Sequence, residues 1–204
     1  MFGKAAADIL GLSDIGKIVK PEDFDKTDSD DYVLREEGER IFFLIKSKSD
    51  EYCFTNQSLI HLDGTSAMSK KRTLRRYPYY KFQFHHVVLE TAGTIDLDIE
   101  IKFGIGDVSL SIDVDKKQIE QLKDLYKILL RIGEIQSENA KLREFGETSL
   151  NTASAALGRV TKNEINLPEQ LKATNEYAYQ WLKYLHKEFS RKDFGDVFEK
   201  YINN

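Results

Sequence analysis

A single cysteine, Cys53, occurs in 204 residues, so no disulfide can close within the chain and a reducing compartment is the natural setting. No apolar run approaches the ~18 residues needed to span a bilayer. The first residues, Met1 to Leu12, lack the apolar core and small-residue cleavage pattern of a secretory leader. A soluble cytoplasmic protein is therefore expected. Neither sign of charge dominates: 30 Lys and Arg stand against 34 Asp and Glu, a formal net charge of -4. That balance gives no general attraction to nucleic acid or anionic lipid, and no nucleic-acid partner is expected. The sequence also has no G-x-S-x-G, phosphate loop or H-E-x-x-H. No nucleophile–base pair or pair of acids can be assembled, so an enzyme is not expected and no catalytic residue or cofactor is assigned.

Metal ligation finds little support either. His85 and His86 are neighbours on an expected strand, which turns their rings to opposite faces and prevents joint chelation. His61 and His186 have no companion at ligand spacing. In the acidic stretch Pro21 to Asp31, counting Asp28 as position one of a calcium loop puts Asp30 at three and Glu39 at twelve. Position five is then Tyr32 and position six is Val33, where an oxygen ligand and a glycine are required, so a solvated linker is the better reading.

What the chain does have is a 41% apolar content with 11% aromatics, enough for a real core. From Glu39 to Val114 short β-branched and aromatic runs alternate with polar turns, and we read seven strands. They are Arg40 to Lys46, Tyr52 to Thr55, Ser58 to Leu62, Lys71 to Tyr77, Phe84 to Glu90, Thr94 to Phe103 and Val108 to Val114. The clearest has Ile95, Leu97, Ile99, Ile101 and Phe103 alternating with Asp96, Asp98, Glu100 and Lys102, so one face is buried and the other wet. Gly104 to Asp107 turns it into a hairpin. The period then becomes helical: Asp115 and Gln118 form a capping pair, and Ile119, Leu122, Tyr126 and Leu129 line one face.

A short helix is expected over Phe2 to Gly11. Beyond Gly133 one helix carries Ile135, Leu142, Leu150, Leu157 and Val160. Pro168 opens another with Leu171, Thr174, Ala178, Trp181, Leu185 and Phe189 on a wide apolar stripe, and Asp193 caps a last one. Such a helical tail is marginal as an independent core.

The stretches Phe43 to Asn56 (FLIKSKSDEYCFTN), Leu62 to Ala67 (LDGTSA), Ser69 to Arg72 (SKKR) and Leu89 to Asp98 (LETAGTIDLD) resemble the bacterial pleckstrin-homology (PH-like) family of unknown function. The tail from Ile132 to Asn204 resembles the YvbH-like oligomerisation region often attached to it, and Gly11 to Gly16 (GLSDIG) fits the same two-part family. The resemblance covers nearly the whole chain. It implies an α+β fold: a PH-like seven-stranded antiparallel β-barrel capped by a C-terminal helix, followed by a helical hairpin or small bundle. The implied domains are an N-terminal helix and linker (1–30), a PH-like domain (31–132) and a helical oligomerisation region (133–204). It also implies assembly into symmetric rings and brings no catalytic residues. In eukaryotic relatives inositol phosphates often bind basic residues near the first hairpin loop, here Ser47 to Asp50 with Lys46 before it.

Two candidate surfaces follow. The run Lys70, Lys71, Arg72, Arg75 and Arg76 is a candidate anion or lipid surface, although strand geometry splits its charges between faces, and a charged edge that blocks aggregation is the plainer reading. Small residues from Thr148 to Ala156 and the stripe around Trp181 make Ala153, Leu157, Ala178, Trp181 and Leu185 a candidate oligomer interface. Cys53, between Tyr52 and Phe54, is expected as a buried structural thiol. The functional expectation is a non-enzymatic scaffold that forms a homo-oligomer and offers a surface to other proteins. The alternative is peripheral binding to a membrane or anionic ligand through Lys70 to Arg76.

Overall fold

A computed structural model describes residues 15–64, 72–91, 98–157 and 167–202. The expected helix at Phe2 to Gly11 and the first residues of the Thr94 to Phe103 strand lie outside the described residues. The chain divides into two compact units, one of Met1–Glu134 with Lys192–Asn204 and one of Ile135–Arg191.

In the first unit, β1 (Lys17–Ile18), β2 (Ile41–Lys46), β3 (Glu51–Thr55), β4 (Ser58–Gly64) and β5 (Arg72–Pro78) form one antiparallel sheet in that order. A second antiparallel sheet holds β6 (Phe84–Glu90), β7 (Asp98–Ile105) and β8 (Val108–Asp115). The seven expected strands are present, with β1 added. The expected closed barrel is not formed. Among the described residues no ladder joins β5 to β6, and the sheets meet where the Gly16 N–H donates to Asp113 O at 2.8 Å and the Asp115 N–H to Gly16 O at 3.0 Å. The reason lies at Pro78, which has no N–H to extend a ladder. There the chain folds into a tight turn, with the N–H groups of Lys81 and Phe82 both donating to Pro78 O, and β6 starts in the other sheet.

Period-two sidedness builds the core. Ile99, Ile101, Phe103, Ile112 and Val114 are buried, as are Phe54 and Leu59 of the first sheet. Rings run through this interior from Phe54 to Phe103, Phe84, Tyr79 and Phe194. Helix α1 (Ile119–Leu157) covers it with Leu122, Leu125, Ile128, Leu129 and Ile132, all fully buried. The expected capping pair is half right. Asp115 accepts the Lys117 N–H, whereas Gln118 brackets Ile18 instead, accepting its N–H at 2.8 Å and donating to its carbonyl at 3.0 Å.

The acidic stretch is not a solvated linker. Three 3-10 turns, Pro21–Lys26, Asp28–Tyr32 and Arg35–Glu37, strap the outer face of the first sheet. There Val33 joins Leu44, Cys53 and Ile60 in a cluster flanked by Val19, Phe24 and Ile41. Apolar residues threaded among the acids anchor the strap, so β2 to β4 are covered on both faces, whereas most of β5 stays exposed.

The last residues also differ from expectation. Helix α3 (Gly195–Tyr201) belongs to the first unit. The Phe194 N–H donates to Asn56 O at 2.8 Å, Asn56 Nδ2 donates to Asp193, and Phe198 stacks on Phe42 at 5.0 Å.

The second unit comprises the rest of α1 and α2 (Leu167–Glu188), which starts beside Pro168 as read. Helix α1 runs unbroken through Gly133, where a break was expected. Within the unit, Trp181 Nε1 donates to Gly146 O at 3.1 Å, and a Cβ on Gly146 would lie 2.5 Å from a Leu185 methyl. Among the described residues no helix is long and apolar enough to cross a membrane.

Candidate assembly surface

The basic run comes first. Lys70 and Lys71 lie outside the described residues. Arg72 ion-pairs with Asp28 and lies 3.8 Å from Glu51; Arg75 meets Asp63 at 2.6 Å; Arg76 meets Glu39 at 2.5 Å and donates to Tyr32 O at 3.2 Å. Each described arginine of β5 thus spends its charge on a carboxylate of the strap, the strap's following residue Glu39, β3 or β4. Among the described residues the fold uses these arginines as ties within the domain.

The carboxylates at these ties are held ionised. Burial alone would raise the Glu39 carboxyl, but Arg76, Thr55, Ser58 and the Leu34 N–H bring it below its ordinary value. Glu51 is likewise lowered against its burial, by Lys46 at 2.5 Å and by Ser29. Asp50 is lowered against its burial by His61, 3.2 Å away, and by Ser49. Cys53 is buried as expected, and desolvation pushes its thiol well up. Such groups are committed to the fold.

The expected opposition of His85 and His86 is incorrect. A register shift between His85 and Val88 and a φ of 49° at His86 break the alternation, and the two rings meet with Nδ1 atoms 2.8 Å apart. A bulge of this kind re-aims side chains that a regular strand would separate.

The expected oligomer-interface residues fall into two groups. Ala178 and Trp181 are half-buried and Leu185 is buried, so much of the stripe is used inside the helical unit, against Gly146. Ala153 is exposed, and Leu157 ends α1. The uncovered apolar surface lies beside that stripe. Tyr177 and Tyr184, two turns apart, stand at 67% and 51% exposure on the flank that Trp181 shares, its ring 5.8 Å from that of Tyr184. Leu171 at 72% and Leu182 at 43% occupy the other flank, and Phe145 on α1 is 65% exposed. The sequence reading named Leu171 in the stripe but passed over Phe145, Tyr177, Leu182 and Tyr184. Their signal was the breadth of the apolar arc on α2, wider than one packing neighbour covers.

Comparison with known proteins also divides the chain in two, with a second segment that takes in α3. The family described as "Bacterial PH domain" matches residues 9–132, and the "YvbH-like oligomerisation region" matches residues 144–204. The chain is 56% identical to the uncharacterized protein YvbH of Bacillus subtilis (strain 168) over the full length of both. It is 32% identical to the uncharacterized protein YjqA of the same organism over 47% of this chain and 76% of that one. Among solved structures, a PH-domain-containing bacterial protein from Exiguobacterium sibiricum 255-15 superposes with a TM-score of 0.85 at 53% identity, covering 93% of this chain and 100% of that one. Two facing antiparallel sheets closed by a helix, with both segments matched in order, establish that the chain belongs to the bacterial PH domain family and carries a YvbH-like region behind that domain.

Proposed function

We propose that the chain is a non-enzymatic interaction module that self-associates through its helical unit, the partner being a second copy of the same chain. The observation that carries this reading is the uncovered apolar surface of that unit, where Phe145, Leu171, Tyr177 and Tyr184 are each more than half exposed. Burying one such side chain fully contributes about 1.5–3 kcal/mol, and symmetric association is the commonest way for a chain to cover a face it repeats in every copy. The match of residues 144–204 to an oligomerisation region supports the same reading. The non-enzymatic part rests on how reactive side chains are used: Cys53 is buried as a thiol, and Glu39, Glu51 and Asp50 are tied to partners inside the fold.

Native mass spectrometry of the full chain tests it. At micromolar concentration the particle is expected at a multiple of 23.6 kDa. The double substitution Tyr177→Glu with Tyr184→Glu is expected to lower that mass without changing the circular dichroism spectrum, because both side chains are more than half exposed within the single chain. A wild-type monomer overturns the proposal.

A further inference from the structure

The histidine pair on β6 is built more carefully than an accidental contact. The His85 ring lies flat across the neighbouring strand, where a Cβ on Gly104 would sit 2.0 Å from His85 Cε1, so only glycine leaves room for it. His85 Nε2 stands 2.9 Å from Gly106 O. A carbonyl can only accept, so Nε2 carries a proton, which leaves Nδ1 as the nitrogen able to offer a lone pair. That lone pair faces His86 Nδ1 at 2.8 Å, with the two ring planes perpendicular. His86 reaches this position with a left-handed backbone, the one positive φ among the described non-glycine residues.

We propose that His85 and His86 form a binding site for a divalent transition-metal ion of the Cu(II) or Ni(II) type, held in cis by the two Nδ1 atoms. Metal-ligating histidines characteristically donate the other ring N–H to a carbonyl, which fixes the tautomer, and His85 already does so to Gly106. Two ligands each about 2.0 Å from a metal and about 90° apart are separated by about 2.8 Å, whereas tetrahedral ligation spreads them to about 3.3 Å. The 2.8 Å separation is that of a hydrogen bond between the rings, and it also brings both Nδ1 atoms within reach of cis positions on a tetragonal ion. The ion takes the place of the Nδ1–Nδ1 hydrogen bond, the His86 proton moving from Nδ1 to Nε2, with a small swing of the exposed His86 ring. Both rings are exposed, so water can complete the coordination. No group of three or more His, Cys, Asp or Glu side chains suited to a metal occurs among the described residues, so this is a two-point site in which Cu(II) outcompetes Zn(II).

The experiment uses untagged, chelator-treated full-length protein titrated with Cu(II), followed by calorimetry and electron paramagnetic resonance. One equivalent is expected to bind with an EPR signature of two imidazole nitrogens. Affinity should weaken as pH falls, because protons compete with the metal for the imidazole nitrogens. His86→Gly removes a ligand while suiting the left-handed backbone, so its melting temperature should not fall and its copper affinity should drop at least tenfold. His85→Ala should lose the same signal, and His186→Ala should keep it. Copper binding unchanged in His86→Gly, a spectrum without imidazole nitrogens, or no binding by the wild type would each overturn the site.

Discussion

Glu39 carries a carboxylate whose side chain has no solvent exposure, and four donors surround it: Thr55 at 2.6 Å, Ser58 at 2.7 Å, the Leu34 N–H at 2.8 Å and Arg76 at 2.5 Å. Replacing it by Gln keeps the shape but leaves Arg76 without its counter-charge. We expect Glu39→Gln to lower stability by about 2 kcal/mol in urea denaturation. The pH dependence follows from the same environment. The folded carboxyls of Glu39 and Glu51 titrate lower than in the unfolded chain, so their stabilisation is fully present above about pH 4.5 and is lost as pH falls through their lowered values. Acid unfolding monitored by circular dichroism should therefore be shallower in Glu39→Gln than in wild type. None of this was legible in the sequence. Glu39 read as the last position of a failed calcium loop, because its cationic partner is 37 residues away and meets it only through sheet pairing. His86 was misplaced for a related reason, since a bulge leaves no local mark in the run Phe84 to Glu90.

Strands and helices were far more legible. The alternation from Ile95 to Val114 places β7 and β8 in their register, with Ile101 opposite Ile112 and Ile99 opposite Val114. What the pattern could not convey is the use of a glycine. Gly133 looked like a boundary between helices, but it lies inside α1, where a Cβ would come 2.8 Å from Phe84 O. It is there because the β6 backbone comes close to that turn of the helix. Alanine is the better helix former by about 1 kcal/mol, yet forcing a methyl against a carbonyl costs about 1–3 kcal/mol. Gly133→Ala is thus expected to be net destabilising, read as a lower melting temperature of the full chain. A gain in melting temperature would mean the strand yields freely. The strap was also missed, because its acids hid the apolar residues Phe24 and Val33 that anchor it.

At the scale of the whole molecule, the family resemblance implied a cut at 132/133, and the compact units are discontinuous: Lys192–Asn204 returns to the first unit. Phe198 is fully buried there and stacks on Phe42. Phe198→Ala should cost about 3–5 kcal/mol, as an earlier urea midpoint for the β-rich unit. An unchanged midpoint would show that the terminal segment only decorates the surface. The return has a consequence for biosynthesis. Domains usually fold as they emerge, amino end first, but here two rings that complete the interior of the leading domain leave the ribosome only after the entire helical excursion. The nascent sheets must wait with an unfilled gap beside Asn56 and Phe42, so premature termination in the tail harms the first half of the protein as well as the second.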